Sequence, residues 1–257
     1  MTPKTVSLTQ PGERTSPDGK AISNRILLNV PEEEFALLRP RLEWMELPHH
    51  CIVHHPGRPL DYACFPNRGL ISTVVSMQGG GAVEAGLVGS EGCTGVPLAV
   101  NLRSTPLQQV VQIEGDGYRL DRAALDELLA RLPQFRFAMT RYAVIQGLQI
   151  AQTAACNRLH GIEQRLARWL LMAVDRVYAG LLPVTHDFLA TVLGTDRPTV
   201  TVAAGRLQDL RAIEYVPGAV RVVNHHTLQQ SARECYGVVR DRLLPVHRLA
   251  ANVPLFT

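Results

Sequence analysis

Hydrophobic and polar positions follow two different periods along this chain. Between residues 43 and 121, short apolar runs alternate with glycine, proline and asparagine, a pattern typical of β-strands separated by turns. Several short strands at this spacing favour a sandwich or a roll. The predicted strands are residues 51–54, 62–65, 69–76, 83–88, 109–114 and 118–120.

Helical spacing flanks this β-rich region. Residues 24–42 suit a short helical segment in which three glutamates follow Pro31. Residues 134–159 predict one long helix after Pro133, and this helix carries an apolar stripe that could pack on its own roll. The stripe consists of Phe135, Ala138, Met139, Tyr142, Ile145, Leu148 and Ala155.

Residues 184–207 predict two short helices joined by a tight turn. Gly194 supplies the turn, Asp196 caps the second helix, and Pro198 is tolerated because it falls in the first turn of that helix. The second helix buries the stripe Val200, Ala203, Ala204 and Leu207, which follow helical spacing. Its opposite face carries Arg197, Thr201 and Gln208, side chains that suit phosphates and base edges.

A hairpin follows this helix-turn-helix at once. Residues 213–216 and 219–223 read as strands, with the turn pair Pro217–Gly218 between them. This order predicts a winged helix. Residues 226–244 then predict one further helix, which we expect to dock on the same domain with Cys235 as a small buried side chain. Its apolar face is Leu228, Ala232, Cys235, Val239 and Leu243.

Residues 162–223 resemble the DNA-binding domain of the Crp/Fnr superfamily of bacterial transcription regulators. The family's turn and reading helix run approximately Gly-x-Ser-Arg-Glu-Thr-Val, and residues 194–200 read Gly-Thr-Asp-Arg-Pro-Thr-Val. Arg197 stands where the family has its guanine-reading arginine. Pro198 replaces the acidic residue that reads cytosine in well-known members, and Val202 replaces a second arginine. We therefore expect an operator that differs from theirs.

The resemblance implies an α+β fold in three parts. These are an N-terminal double-stranded β-helix, jelly-roll-like and similar to cyclic-nucleotide-binding domains, then a long dimerisation helix, then a C-terminal winged helix-turn-helix domain. We place a flexible arm at residues 1–23, the sensor roll at 24–133, the dimerisation helix and hinge at 134–160, and the DNA-binding domain with an extra C-terminal helix at 161–257. A helix as long as 134–159 outruns a small roll, which favours pairing with a second copy.

The function that the resemblance implies is sequence-specific DNA binding by a homodimer. Two copies of the helix 196–208 would enter successive major grooves of a pseudo-palindromic operator. Expected partners are double-stranded DNA, a second copy and RNA polymerase, with no membrane and no catalysis. The candidate DNA contacts are Arg197, Thr199, Thr201, Thr195, Pro198, His186, Arg221 and Gln208.

The effector is harder to predict. Cyclic-nucleotide binders of the family hold the ribose with a glutamate and the phosphate with an arginine. Here Gly89 and Glu91, and then Arg103 and Ser104, echo that cassette imperfectly, and Pro106 falls where an ordered turn is needed. We do not expect a standard cyclic AMP site and predict no cofactor. An unidentified small molecule in the roll and an effector-independent scaffold both stay open.

A cluster of histidines offers a third sensor hypothesis. His49, His50, His54 and His55 flank Cys51, and imidazole and thiolate suit zinc or haem iron. Both pairs lie at strand ends, which favours exposed or core-edge histidines. The closely spaced cysteines of an iron–sulfur site and the His-x-His pair of a cupin enzyme do not occur in this region.

Composition agrees with a soluble two-domain regulator. The 257 residues are 46% hydrophobic and 19% charged, without an apolar run of membrane-spanning length. Five scattered cysteines imply no disulfide framework, and we expect a cytoplasmic protein. Residues 158–257 carry 12 basic and 8 acidic side chains, so the positive charge lies in the half with the helix-turn-helix.

Overall fold

The computed structural model describes residues 9–79, 81–177 and 179–243. Its N-terminal part is an antiparallel β-domain with helices at both ends. Before the sheet lie α1 (Arg25–Asn29), α2 (Glu32–Leu38) and a 3-10 turn (Arg39–Arg41). The strands are β1 (Glu43–Leu47), β2 (Ile52–His54), β3 (Tyr62–Ser76), β4 (Ala82–Val88) and β5 (Gln108–Asp121). A second 3-10 turn (Val96–Val100) connects β4 to β5.

The sheet is built around two long strands. Its order is β1-β5-β3-β4, with β2 also paired to β5, and every pairing is antiparallel. The sequence predicted breaks near residues 66–68 and 115–117. The structure has register shifts there instead, because glycines allow the strands to approach closely: a Cβ on Gly69 would lie 2.7 Å from the Ile113 oxygen. Strand β1 was not predicted.

The segment before α1 does not behave as the expected flexible arm throughout. Ile22 is fully buried, and Arg14 donates a hydrogen bond to the Leu27 oxygen over 2.7 Å. The Tyr118 hydroxyl donates to the Lys20 oxygen over 3.1 Å. These contacts fix residues 14–22 on the roll, so the prediction of an arm up to residue 23 is too long. Residues 1–8 lie outside the described residues.

Two helices close the N-terminal part. α3 (Arg122–Arg131) is capped by Asp121, and α4 (Pro133–Leu159) is the predicted long helix. Phe135, Met139 and Tyr142 of α4 are buried in the core of the roll. Most of the predicted stripe therefore packs on its own domain. Leu148 of the stripe is exposed instead, as are three further apolar side chains of α4: Phe137, Val144 and Leu159.

The C-terminal domain begins with α5 (Ile162–Val177). There follow β6 (Leu181–Leu182), α6 (His186–Leu193), α7 (Arg197–Asp209), β7 (Ile213–Val216), β8 (Ala219–Val222), α8 (His225–Ala232) and α9 (Glu234–Leu243). The wing is a three-stranded sheet of order β6-β8-β7, in which β6 was not predicted. The single helix expected at 226–244 is two helices, because Arg233 adopts φ 59° and ends α8; residue 244 lies outside the described residues.

The two domains share a core. Leu70, Leu87 and Ile113 of the roll belong to the same apolar cluster as α5, α6 and α7. Helix α5 thus packs on the outer face of the sheet as well as inside its own domain. The predicted architecture of an antiparallel β-domain, a long helix and a C-terminal winged helix-turn-helix is confirmed. No helix within the described ranges is long and apolar enough to cross a membrane.

Candidate nucleic-acid interface

The turn between α6 and α7 forms as the sequence predicted. Gly194 ends α6 in the left-handed region at φ 60°, where a side chain would be strained. The Asp196 carboxylate accepts a hydrogen bond from the Thr199 amide over 2.8 Å and caps α7. Hydrogen bonding from the Thr199 backbone and then from its side chain lowers the pKa of Asp196. Pro198 lies in the first turn of α7, where its missing N–H costs nothing.

One face of α7 is buried and the other is open to solvent. Val200 and Leu207 are fully buried, while Arg197, Thr201 and Gln208 are exposed. Pro198 is exposed as well, and Thr195 and Thr199 are half-buried. Arg197, Thr201 and Gln208 offer a guanidinium, a hydroxyl and an amide, each able to donate hydrogen bonds to phosphates or base edges.

Neighbouring side chains orient this face. The Arg197 guanidinium lies 3.5 Å from the Asp187 carboxylate of α6, and both side chains are mostly exposed. His186 Nδ1 lies 3.0 Å from the Thr201 hydroxyl, and the His186 ring lies 4.2 Å from the Tyr215 ring. Burial, together with the nearby Arg197 charge, lowers the pKa of His186. The imidazole is therefore neutral at neutral pH and positions Thr201.

The wing lies beside the end of α7. The Gln208 side-chain oxygen accepts a hydrogen bond from the Tyr215 amide over 3.2 Å, which ties α7 to β7. Arg221 of β8 is exposed, 3.6 Å from Glu214. Direct contacts thus link Arg197, Thr201 and Gln208 of α7 to α6 or to β7, whereas the ion pair of Arg221 lies within the wing.

Residues 164–231 match the family model of the Crp-like helix-turn-helix domain. The chain therefore carries a Crp-like helix-turn-helix domain. No curated protein matches the sequence significantly. The family model covers α5 to α8, so the predicted resemblance rests on the same elements that build the interface.

Solved Crp/Fnr structures share the overall fold. The c-di-GMP-responsive global regulator CLP of Xanthomonas campestris is 15% identical, with a TM-score of 0.61 over 75% of this chain and 99% of CLP. FixK2 of Bradyrhizobium japonicum is 12% identical, with a TM-score of 0.60 over 73% and 95% of the two chains. A Crp-family transcriptional regulator of Thermus thermophilus is 15% identical, with a TM-score of 0.59 over 73% and 96%. The chain has the fold of Crp/Fnr-type transcription regulators, as the resemblance implied.

The residues that echo a nucleotide cassette have different partners. Glu91 accepts hydrogen bonds from the Gly89 amide over 3.0 Å and from Arg176 of α5 over 2.8 Å. Arg103 instead pairs with Asp126 of α3 at the surface, over 2.7 Å. Ser104 lies in an isolated bridge with Pro59. Since the glutamate is already neutralised by an arginine of the DNA-binding domain, the geometry does not favour a shared ligand between Glu91 and Arg103.

A second polar contact between the domains centres on Glu84 of β4. The Trp169 indole of α5 donates a hydrogen bond to Glu84 over 2.8 Å, and the Ser72 hydroxyl donates to its other oxygen. Burial raises the pKa of Glu84 to about 7. A cleft of about 480 Å³ opens next to this carboxylate, between β4 and α6. Sequence reasoning missed Glu84, Trp169 and Arg176, because their partners are 85 residues away along the chain.

The predicted histidine cluster is spread over different environments. The rings of His49 and His50 stack on each other with 3.8 Å between centroids. His54 is buried with Nε2 3.0 Å from the Thr94 hydroxyl, and burial lowers its pKa to about 4. Within the part of the chain that the structure describes, these side chains do not form a group of three or more metal-ligand donors. The haem or metal hypothesis for this region is therefore not supported by the geometry.

Proposed function

We propose that this protein is a homodimeric transcription regulator, not an enzyme, and that each copy reads half of a pseudo-palindromic operator with α7. The observation that carries the proposal is the solvent-facing row of Arg197, Thr201 and Gln208 on α7, together with the exposed Arg221 of the wing that follows α7. In this arrangement Arg197 donates to guanine O6 and N7, while Thr199 and Thr201 contact phosphates or base edges. Phosphate contacts from the wing fix the register of α7 in the groove.

His186 has a different part in this proposal than the sequence suggested. Its ring is enclosed by Thr201 and Tyr215, and its Nε2 atom is buried. In this proposal His186 does not contact DNA. It orients the Thr201 side chain and packs α6 against the wing through Tyr215. Thr195 lies in the turn before α7 and Pro198 in the first turn of α7, and both would lie near the DNA when the start of α7 meets it.

The exposed apolar side chains of α4 support the dimer. Phe137 and Val144 are 56% and 65% exposed, and they lie seven residues apart on the helix. Leu148 follows four residues later and Leu159 eleven residues after that. The 7–4 spacing of Phe137, Val144 and Leu148 fits the d and a positions of a heptad, and Leu159 lies on the same side of α4, which the roll leaves uncovered. A second copy of α4 would cover it.

The contacts of α5 support modulation through the roll. Glu91–Arg176 and Glu84–Trp169 join the roll to the helix on which α6 and α7 pack. A ligand that changes either contact shifts the populations of docked and undocked DNA-binding domains. We propose this route in place of a cyclic-nucleotide cassette. A contact with RNA polymerase and a cytoplasmic location stay expectations of the resemblance; the five cysteines are free, in keeping with a reducing compartment.

The test is operator selection from random duplex DNA with the purified full-length protein. It is run without additives and with a panel of cyclic nucleotides. A two-fold symmetric consensus without additives supports a dimeric reader whose activity does not require a nucleotide. A consensus only with one nucleotide contradicts the modulation route proposed above. Absence of any enriched sequence, in protein that is folded and dimeric, has two explanations: binding requires an effector outside the panel, or α7 is not the reading helix.

A further inference from the structure

Three metal-ligating side chains meet where α4 ends. Cys156 lies in the last turn of α4, His160 caps the helix, and Cys235 lies in the first turn of α9. Their ligand atoms all lie within 4.8 Å of one another, and no other such group occurs among residues 9–79, 81–177 and 179–243. This cluster of three side chains lies at the connection between the long helix α4 and the DNA-binding domain.

Local structure brings the donors together. Cys156 and His160 are four residues apart, so both side chains leave the same face of the helix. Arg233, at φ 59°, ends α8 and changes the chain direction before α9, which brings Cys235 close to α4. Tyr236 donates a hydrogen bond to Asp175 of α5 over 2.7 Å and anchors the start of α9. Cys156 and His160 are thus held at the end of α4, and Cys235 is held at the start of α9.

The distances approach those of tetrahedral coordination. With zinc–sulfur bonds of about 2.3 Å and zinc–nitrogen bonds of about 2.0 Å, neighbouring ligand atoms lie roughly 3.5 to 3.8 Å apart. The Cys235 sulfur lies 3.3 Å from His160 Nδ1, and the Cys156 sulfur is within 4.8 Å of both. Small side-chain rotations would therefore place all three donors around one ion.

The surroundings also suit a metal. The second ring nitrogen of His160, Nε2, lies 3.7 Å from the Glu234 carboxylate. A carboxylate at the far nitrogen of a ligating histidine fixes the tautomer and the ring orientation. The Gln152 amide donates a hydrogen bond to the Cys235 sulfur over 3.0 Å, which stabilises a thiolate. Cys64 and Cys93, in contrast, are buried in the apolar core of the roll.

We propose that Cys156, His160 and Cys235 form a site for a thiophilic divalent cation of the zinc class. Two thiolates and one imidazole supply three ligands, two of them charged, and water takes the fourth position. Binding releases the thiol protons to solvent. The ion would fasten α9 to the end of α4 and so stabilise the connection through which the roll and the reading helix communicate.

The test is a Co²⁺ titration of the reduced, full-length protein, followed by competition with Zn²⁺. We expect one Co²⁺ per chain, a thiolate-to-cobalt charge-transfer band, and displacement by Zn²⁺. Cys235→Ala and His160→Ala should each weaken binding by more than about 100-fold, because loss of an outer-shell partner alone costs about 10–100-fold. Glu234→Gln should keep the stoichiometry and weaken affinity by about tenfold.

Matched controls separate the site from general effects. Cys51→Ser and His226→Ala change a half-buried cysteine and an exposed histidine outside the group, and both should bind Co²⁺ like the wild type. Circular dichroism checks that each variant is folded. If Cys235→Ala does not fold, His160→Ala and Glu234→Gln still test the metal site. Co²⁺ binding that survives in Cys235→Ala or His160→Ala overturns the proposal. A second result also overturns it: protein purified without reductant contains a Cys156–Cys235 disulfide, and the same protein binds no metal after the disulfide is reduced.

Discussion

Arg176 of α5 and Glu91 of the roll form a buried ion pair between the two domains, with Nε donating to the carboxylate over 2.8 Å. The same guanidinium donates to the Gln149 side chain of α4 over 2.6 Å and to the Met172 oxygen over 2.9 Å. One arginine therefore joins the roll, the long helix and the DNA-binding domain. The glutamate that the sequence offered to a ligand is occupied by the protein itself.

Removal of Arg176 should destabilise the protein strongly. Arg176→Ala leaves the Glu91 carboxylate buried without its cation, and breaking a buried pair in this way costs about 3–5 kcal/mol. Urea unfolding measures the change. The control is Arg103→Ala, whose exposed pair with Asp126 should contribute about 0–1 kcal/mol. Equal losses in the two variants would show that the buried pair does not hold the domains together.

Glu84 should make stability depend on pH. Its pKa is about 7 in the folded protein and 4.5 as the ordinary value, so between these limits the folded state binds the proton more tightly than the unfolded chain does. The free energy of unfolding therefore falls as pH rises from 4.5 through 7, by about 3 kcal/mol in total. Above pH 7 both states are ionised and this loss is complete.

Glu84→Gln is the matched variant for this pH effect. Glutamine keeps the acceptor for Trp169 and carries no titrating proton. Urea unfolding of both proteins at several pH values between 4.5 and 8.5 gives the difference. We expect the free energy of unfolding of Glu84→Gln, relative to that of the wild type, to increase as pH rises. Parallel curves for the two proteins would assign the pH dependence to other groups.

Local patterns predicted the DNA-binding half well. Gly194, Asp196 and the buried stripe from Val200 to Leu207 are contained in one short stretch, and their structural roles follow from helix capping and periodicity. The wing strands are equally local. The break at Arg233 was missed, because a positive φ at arginine has no sequence signal.

Long-range contacts were beyond prediction. The stripe on α4 was found, but its period does not tell whether the roll or a second helix covers it, and the roll covers most of it. Cys156 and His160 could have been recognised as a pair four residues apart, but Cys235 lies 75 residues beyond His160. The partners of Glu84 and Glu91 depend on how two domains pack, which single-sequence periodicity does not contain.

Arg197→Ala should weaken operator binding by about 1–3 kcal/mol per half-site and relax the preference at one base position. The loss follows because Arg197 is the only arginine at the start of α7 and its guanidinium is free to reach a guanine once it leaves Asp187. Fluorescence anisotropy with the selected operator and single-base variants measures both effects. Arg131→Ala, on α3 of the roll, is the control and should bind as the wild type does. Unchanged affinity and base preference in Arg197→Ala would remove Arg197 from the base contacts.

Val144→Glu should convert the dimer into monomers. Val144 is 65% exposed in the single chain and lies on the proposed seam of α4, so the substitution places a carboxylate from each copy in the apolar contact. Burying one valine contributes about 1.5–3 kcal/mol, and two copies lose at least about 3 kcal/mol, which weakens dimerisation by more than about 100-fold. Sedimentation velocity across a concentration series measures this change. Leu37→Glu, an exposed position on α2 away from the seam, should leave the dimer intact. A dimer that persists in Val144→Glu at the wild-type dissociation constant would place the contact between copies elsewhere, and the two reading helices would then need another geometry.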